Sequence, residues 1–342
     1  MVLCHPIDAA QAAIGCKIAQ IAELHVARAG NSPYVDGQIN GQSVRVLLDT
    51  GSYDSFVTGG AARRLQLRLR GSDATAWGVA GTTIEQLAVV DHLRIGTFSA
   101  DDLLLHVVGP TFGRDENDAG FVLGADFFAH FTTEFDLAHD AVRLLRPRDC
   151  QPEQLVYWDQ DYFLADLERL GADNALLNTH ASVNGQRMLT LFDTGAGISV
   201  IDVGAARQAG VDVRDPGVQA TSQIAGIAGT GTDSWIGRFD SVSIGNETIR
   251  NARLRIANLF GADRTRATGS NIAHQSDNQT ELILGADFFQ SHRVIISPEA
   301  HAALFTYAGG KVFQLVRPDA DVQSATGAPP AASGGGAAAT TP

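Results

Sequence analysis

The 342-residue chain carries the same short segments twice, in the same order. The hexapeptide Leu-Gly-Ala-Asp-Phe-Phe occurs letter for letter at residues 123–128 and 284–289. The tripeptide Asp-Thr-Gly occurs upstream of each, at residues 49–51 and 193–195. Chance similarity does not preserve both identity and order, so the chain is a tandem duplication. Whatever fold it adopts must therefore be built from two copies of one unit.

Each copy is predicted to be mostly β. An Asn-Gly pair separates two apolar runs in both copies, at residues 40–41 and 184–185, and this pair is a strong hairpin signal. The predicted strands are 34–39, 42–48, 55–57, 87–95, 103–108, 236–244 and 252–257, with a helical turn at 61–65, closing hairpins at 132–145 and 294–305, and polar loops at 109–120 and 261–280.

The two Asp-Thr-Gly motifs place a carboxylate at the end of an apolar strand in each copy. A lone ionised carboxylate buried there would pay a large desolvation penalty. Two facing carboxylates avoid the penalty by sharing a proton, so that one acts as a base and the other as an acid. Such a pair can activate a water for direct amide hydrolysis. Asp49 and Asp193 are therefore the candidate catalytic residues.

The residues that follow each aspartate are predicted to support the pair. Gly51 and Gly195 permit a close backbone approach to the carboxylates. The hydroxyls of Thr50 and Thr194 are placed to bond across to the backbone of the other copy.

Two glycine-rich hairpin tips, at residues 77–83 and 224–232, are predicted to cover the pair and to bind an extended peptide by strand addition. The second tip also resembles a phosphate-binding loop, but no helix start follows it. The tryptophan of the first tip could equally be a core residue. The candidate flap residues are Trp77, Gly78, Gly81, Gly226 and Gly229.

Composition excludes several other functions. A net charge of −13 argues against a nucleic-acid or anionic-membrane partner, and no apolar run is long enough to span a membrane. The histidines are scattered and no Cys-x-x-Cys pair occurs, so neither a metal site nor a cofactor is predicted.

The three cysteines, Cys4, Cys16 and Cys150, allow two readings. All three are buried free thiols, or Cys16 and Cys150 form a disulfide that encloses almost the whole first repeat. The bridge would constrain the unfolded chain by roughly 4–5 kcal/mol and would require an oxidising compartment. Residues 1–21 lack a basic segment followed by an apolar core, so a cytoplasmic protein and a start within or after a removed signal both stay open.

With these motifs together, the chain resembles the retropepsin-like aspartyl proteases, and in particular the bacterial single-chain members with two tandem repeats. The resemblance implies two β-barrel lobes of the retropepsin and pepsin type, related by a pseudo-twofold axis with a cleft between them. It implies a catalytic pair with one aspartate from each lobe, a peptide or protein substrate, and a monomer that is an intramolecular pseudo-dimer. It also implies a periplasmic or secreted protein, which favours the disulfide.

The chain departs from the family pattern at several positions. Ser52 follows the first motif, as in pepsin-like enzymes, whereas Ala196 follows the second, as in retropepsins. Because the Ser52 hydroxyl can bond the first aspartate, Asp49 is predicted to be the more readily ionised of the two. Tyr53 and Gly197 replace the acidic residues that retropepsins place next. The aspartates of the repeated hexapeptide, at positions 126 and 287, are explained by favourable charge at a helix start.

The predicted organisation is an N-terminal extension (residues 1–30), a first lobe (31–150), a linker (151–174), a second lobe (175–318) and a disordered Ala/Gly/Pro tail (319–342). The predicted function is aspartic endopeptidase. Two alternatives remain: a duplicated scaffold that binds peptides or a partner without hydrolysis, and a homodimer with more than one cleft.

Overall fold

The computed structural model describes residues 15–78, 81–109, 117–168, 175–225, 231–259 and 279–315. For residues 72–78, 81–85 and 225 the description covers the backbone only. Most of the two predicted polar loops, the tail and Cys4 lie outside these ranges. Within them, no helix is long and apolar enough to cross a membrane.

The first half of the chain forms short strands with two brief helices between them. In chain order these elements are β1 (Lys17–His25), β2 (Ala27–Ala29), β3 (Ser32–Ile39), β4 (Gln42–Leu48), β5 (Phe56–Thr58), α1 (Gly59–Arg64), β6 (Arg68–Gly78), β7 (Gly81–Ile95), β8 (Phe98–Val108), β9 (Ala119–Leu123), α2 (Ala125–Phe128), β10 (Thr132–Asp136) and β11 (Ala141–Arg148).

Among the described residues, the second half repeats this order without a counterpart of β2. Its elements are β12 (Phe163–Asp166), β13 (Asn178–Val183), β14 (Gln186–Phe192), β15 (Val200–Asp202), α3 (Val203–Gln208), β16 (Gln219–Ala225), β17 (Gly231–Ile244), β18 (Glu247–Ala257), β19 (Leu282–Leu284), α4 (Ala286–Ser291), β20 (His292–Ser297) and β21 (Ala302–Tyr307).

Six strands of each half close into a barrel. In the first half the order is β3-β4-β9-β5-β8-β7, and β7 pairs back onto β3. In the second half the order is β13-β14-β19-β15-β18-β17, and β17 pairs back onto β13. The predicted mostly-β fold of two barrel lobes from a tandem duplication is confirmed. Strands β6 and β16 extend each barrel as one side of a long hairpin, and the short β2 pairs with β3 in the first half.

The Asn-Gly pairs form the first turn of each barrel, as predicted. Asn40 and Asn184 both have φ of 49°, and the glycines after them have φ of 77° and 81°. Two consecutive residues in the left-handed region are what a two-residue hairpin turn requires. Each asparagine side chain also accepts a backbone N–H from the neighbouring part of its barrel, at 2.9 and 3.1 Å. The turn is therefore tied to the barrel that it begins.

A third sheet joins the two barrels. Its order is β1-β11-β10-β20-β21-β12, with three strands from each half, and β10 meets β20 at its centre. Strand β1 lies in the stretch predicted to be an extension, and β12 lies in the predicted linker. Both are outer strands of this sheet, so their backbone pairing continues the repeat symmetry. The domain boundaries themselves stay predictions.

The segment between the halves covers the outer face of this joining sheet. It contains a 3₁₀ turn at Pro152–Leu155, and Leu155 packs in an apolar cluster with Ile295 and Leu304. The Trp158 indole N–H donates to the hydroxyl of Thr306 at 2.9 Å. The predicted linker is therefore an ordered part of the fold where it is described.

A disulfide joins Cys16 to Cys150. It lies at the end of the antiparallel pair β1–β11, where Lys17 is opposite Arg148. The predicted bridge is confirmed, and it encloses the first barrel together with its share of the joining sheet.

Candidate active site

The two Asp-Thr-Gly loops follow equivalent strands of the two barrels. Asp49 comes directly after β4, and its N–H donates to the carbonyl of Leu123 at 2.9 Å. Asp193 comes directly after β14, and its N–H donates to the carbonyl of Leu284 at the same distance. In both halves the neighbouring strand is parallel, so β9 and β19 fix where each loop leaves its barrel.

The threonines of the motifs interlock the loops. The Thr50 hydroxyl donates to the carbonyl of Phe192 at 2.7 Å and accepts the N–H of Thr194 at 3.1 Å. In return, the Thr194 hydroxyl donates to the carbonyl of Leu48 at 2.7 Å and accepts the N–H of Thr50 at 3.1 Å. Both threonines are buried. The cross-contact expected from the sequence is present, and it holds the two loops face to face.

The carboxyl groups of Asp49 and Asp193 face each other, since each lies directly against the glycine of the other loop. Each also accepts two N–H groups of its own loop, one from the glycine of the motif and one from the residue after it, at 2.9–3.0 Å. The pair is therefore held in place by matching backbone donors on both sides.

Close packing at the pair requires both motif glycines. A Cβ on Gly51 would overlap the carboxylate of Asp193, and a Cβ on Gly195 would overlap that of Asp49. The backbone of each loop thus forms one wall of the space that holds the other loop's carboxyl group.

Burial raises the pKa of both carboxyl groups. The pKa of Asp49 lies well above its ordinary value, first because of burial and then because of the negative charge of Asp193. The loop N–H groups oppose the rise at both residues. Two partly buried carboxyl groups this close together cannot both ionise at ordinary cost, so we expect them to titrate as a pair that shares one proton.

This arrangement supplies a base and an acid at one point. The ionised member can take a proton while the protonated member gives one. Within the described residues, no group of three or more His, Cys, Asp or Glu side chains could hold a metal ion.

Two protein families match the chain, one in each half. Residues 35–130 match a family described as "gag-polyprotein putative aspartyl protease", and residues 179–288 match a family described as "Aspartyl protease". Each match contains one Asp-Thr-Gly loop, and together they span more than half of the chain. The chain belongs to the retropepsin-like aspartyl proteases, with two repeats in tandem.

Among solved structures, this retropepsin-like chain matches the crystal structure of a retropepsin-like aspartic protease from Rickettsia conorii. The two are 19% identical, and the alignment covers 39% of this chain and 94% of that chain, with a TM-score of 0.27. No curated protein matches the chain.

One prediction about the pair is wrong. The Ser52 hydroxyl donates to the carbonyl of Asp54 at 2.8 Å, and not to the first aspartate. The backbone N–H of Ser52 donates to Asp49 Oδ1 instead, just as the backbone N–H of Ala196 donates to Asp193 Oδ1. Because the backbone donors to the two aspartates match, the expected preference for an ionised Asp49 loses its basis.

A serine–aspartate relay beneath each loop was not predicted. In the first lobe, Ser55 Oγ accepts the N–H of Gly124 at 2.9 Å and donates to Asp126 Oδ1 at 2.7 Å. In the second lobe, Ser199 and Asp287 repeat the contacts at the same distances. A favourable charge at the helix start is therefore only part of the role of these aspartates. The signal was a serine six residues after each catalytic candidate.

Asp287 is fully buried, and its burial raises the pKa to about 6. The unfolded chain has a pKa near 3.9 for this group, so the folded state binds its proton more tightly. The stability that results is complete below about pH 4 and is lost as the pH rises through about 6.

The side chain of Asp287→Asn cannot titrate. We therefore expect the free energy of unfolding of this variant, relative to that of wild type, to rise by about 3 kcal/mol between pH 4 and pH 8. The measurement is the free energy of urea unfolding of both proteins at pH 4, 5, 6, 7 and 8. A difference that is constant across this range would contradict the buried, raised carboxyl group.

The predicted flap residues are in two long hairpins. In the first, β6 and β7 pair as far as Gly78 opposite Gly81, and the backbone of Trp77 belongs to this arm. In the second, β16 and β17 form the equivalent arm, but Gly226 and Gly229 lie outside the described residues. Both hairpins exist, and their function as flaps stays a prediction.

Proposed function

We propose that this chain is an aspartic endopeptidase that hydrolyses peptide bonds with a water activated by Asp49 and Asp193. The observation that carries the proposal is the interlocking of the two Asp-Thr-Gly loops, which brings two partly buried carboxyl groups, one from each lobe, against each other. Such a pair retains a proton at pH values where an isolated aspartate has lost it.

The proposed reaction needs no group beyond the pair and a water. The ionised carboxylate removes a proton from the water, whose oxygen attacks the carbonyl carbon of the peptide bond. The protonated carboxyl group gives its proton to the carbonyl oxygen, forming a neutral tetrahedral diol. Proton transfer from the diol to the amide nitrogen, through the pair, then releases an amine and a carboxylic acid.

The two hairpin arms are proposed to hold the substrate. An extended peptide would add to a free strand edge of the arms by backbone hydrogen bonds. The residues proposed to contact it are Trp77, Gly78, Gly81, Gly226 and Gly229. Because both arms belong to one chain, and the joining sheet connects the lobes, we propose a monomer.

An oxidising location, periplasmic or secreted, is proposed from the Cys16–Cys150 bridge, since such bridges persist outside the reducing cytosol. Thiol titration of unreduced protein from the native host is expected to find Cys4 as the one reactive cysteine if residue 4 is retained. Three reactive thiols would contradict the location.

The test compares wild type with Asp49→Asn and Asp193→Asn on a mixed peptide library, with and without a statine-type inhibitor. Asp36→Asn, at an exposed position on β3, is the matched control. We expect cleavage by wild type and the control, inhibition of both, and no cleavage by either active-site variant. Binding of peptides without cleavage by wild type, or cleavage at wild-type rate by both variants, would overturn the proposal.

A further inference from the structure

Residues 311–315, which follow β21 and end the described part of the chain, cross the second lobe beside the Asp193 loop. They have no regular secondary structure, yet Phe313 is buried in the main core. We call this stretch the 311–315 clip. Its polar contacts lead to two parts of the lobe, the Asp193 loop and the second hairpin arm.

The first set of contacts reaches the Asp193 loop through the buried relay. The N–H of Gln314 donates to Asp287 Oδ2 at 2.9 Å. The other oxygen of Asp287 accepts the hydroxyl of Ser199 at 2.7 Å. The N–H of Ala286, beside the relay, donates to the carbonyl of Ala196 at 2.7 Å. A shift of the clip would therefore act on the loop that carries the second catalytic candidate.

A first-lobe residue strengthens this connection. Asn31 is buried, and its side-chain amide donates to the carbonyl of Gly197 at 2.9 Å and to Gln314 Oε1 at 3.1 Å. The clip and the Asp193 loop are thus bound to the same amide group.

The second set of contacts reaches the second hairpin arm through Arg255, which is 2% exposed. Its Nη1 donates to the carbonyl of Leu315 at 2.6 Å, and its Nε donates to Ser234 Oγ at 2.7 Å. Its Nη2 donates to the carbonyl and to the hydroxyl of Ser222, the latter at 2.9 Å. Ser222 lies on β16 and Ser234 on β17, so one guanidinium joins both strands of the arm to the clip.

The first lobe is built differently at the equivalent places. Arg255 pairs with Val200 across β15–β18, and the equivalent partner of Phe56 across β5–β8 is His106. The chain that follows β11 forms the Cys150 bridge and the 3₁₀ turn on the joining sheet. Within the described residues, the clip is therefore a feature of the second repeat that the first repeat does not share.

We propose that the 311–315 clip, with Arg255 and Asp287 as positioning residues, couples the second hairpin arm to the Asp193 loop. This inference rests on the proposed function, because the coupled parts are the arm that would hold substrate and the loop that would activate water. Arginine suits the role because its planar guanidinium offers five donors in a fixed geometry, whereas lysine offers a single ammonium group. Movement of the second arm and placement of Asp193 are then one event, while the first arm moves independently.

The sharpest test removes one N–H. Gln314→Pro deletes the donor to Asp287, and Gln314→Ala retains it while it removes the side chain that contacts Asn31. Hydrogen exchange of full-length protein is measured separately on the peptides of the two arms. We expect Gln314→Pro to speed exchange in β16 and β17 about tenfold and to leave β6 and β7 unchanged, with a much smaller effect for Gln314→Ala.

Arg255→Lys tests the other end of the clip. It is expected to speed exchange in the second arm only, and to raise KM about tenfold with kcat nearly unchanged, since the Asp193 loop keeps its relay. Gln314→Pro is expected to raise KM and to lower kcat as well. Equal changes in both arms, or none in the second arm for either variant, would overturn the inference. Exchange needs no catalysis, so a chain that cleaves no peptide but shows the predicted local exchange would refute only the proposed function.

Discussion

Gly51→Ala and Gly195→Ala are each expected to lower peptide hydrolysis by about a hundredfold or more, with a folded protein in both cases. The added Cβ would occupy the position of the carboxyl group from the other loop, Asp193 or Asp49 respectively. The pair must then separate, and displacement of a reacting group by about 1 Å is enough for a loss of this size. The measurement is kcat/KM on the best peptide from the library.

The matched control is Gly217→Ala. Gly217 is in the second lobe, its added Cβ would meet nothing within 4 Å, and its φ lies outside the left-handed region. Activity is expected to be unchanged. A Gly51→Ala or Gly195→Ala enzyme as active as this control would mean that the two loops are not in contact.

Glu134→Gln is expected to lower the free energy of unfolding by about 3–5 kcal/mol. The Glu134 side chain is fully buried on the central strand β10. Its Oε1 accepts Arg143 Nη1 at 2.6 Å and Arg293 Nη2 at 2.8 Å, and its Oε2 accepts the hydroxyl of Tyr157. Because Arg143 is from the first half and Arg293 from the second, the substitution removes the buried negative charge that both partly buried arginines share at the junction of the lobes and leaves them with the more distant Asp136.

Glu23→Gln provides the comparison for this effect. Glu23 binds the same Arg143 at 2.8 Å, but its side chain is 33% exposed. Exposed ion pairs contribute between about 0 and 1 kcal/mol, so a change in that range is expected. Urea unfolding of wild type and both variants makes the comparison. Equal losses would show that burial at the junction adds nothing to the Glu134 contacts.

The sequence predicted the barrels because their strands have clear local signals. Each Asn-Gly turn joins two apolar runs, and the identical hexapeptide marks the return strand and short helix in both copies. The pairing of Asp49 with Asp193 was predicted from the duplication. Two copies of one unit that are related by a pseudo-twofold axis can bring their equivalent strand ends, and the carboxylate on each, face to face. The disulfide was one of two readings of the cysteines, suggested by the positions of Cys16 and Cys150 on either side of the first repeat and favoured by the family resemblance.

Other parts depended on contacts between distant residues, which local patterns do not carry. Strand β1 is mostly exposed at the edge of the joining sheet, and only Ala22 and Leu24 form a buried face, which is too short a pattern to predict a strand. Ser52 was assigned to the first aspartate from proximity alone, but the backbone N–H had already satisfied that oxygen. The Asp287 contact with Gln314 spans a strand hairpin and could be found only from the folded chain.

Carbon-13 NMR of labelled aspartate carboxyl groups tests most directly whether Asp49 and Asp193 share one proton. The two resonances are identified by their loss in Asp49→Asn and Asp193→Asn. In wild type they are predicted to titrate together in two linked steps, one of them well above the ordinary aspartate range. Two independent titrations at ordinary pKa values, each unaffected by replacement of the other residue, would contradict a shared proton.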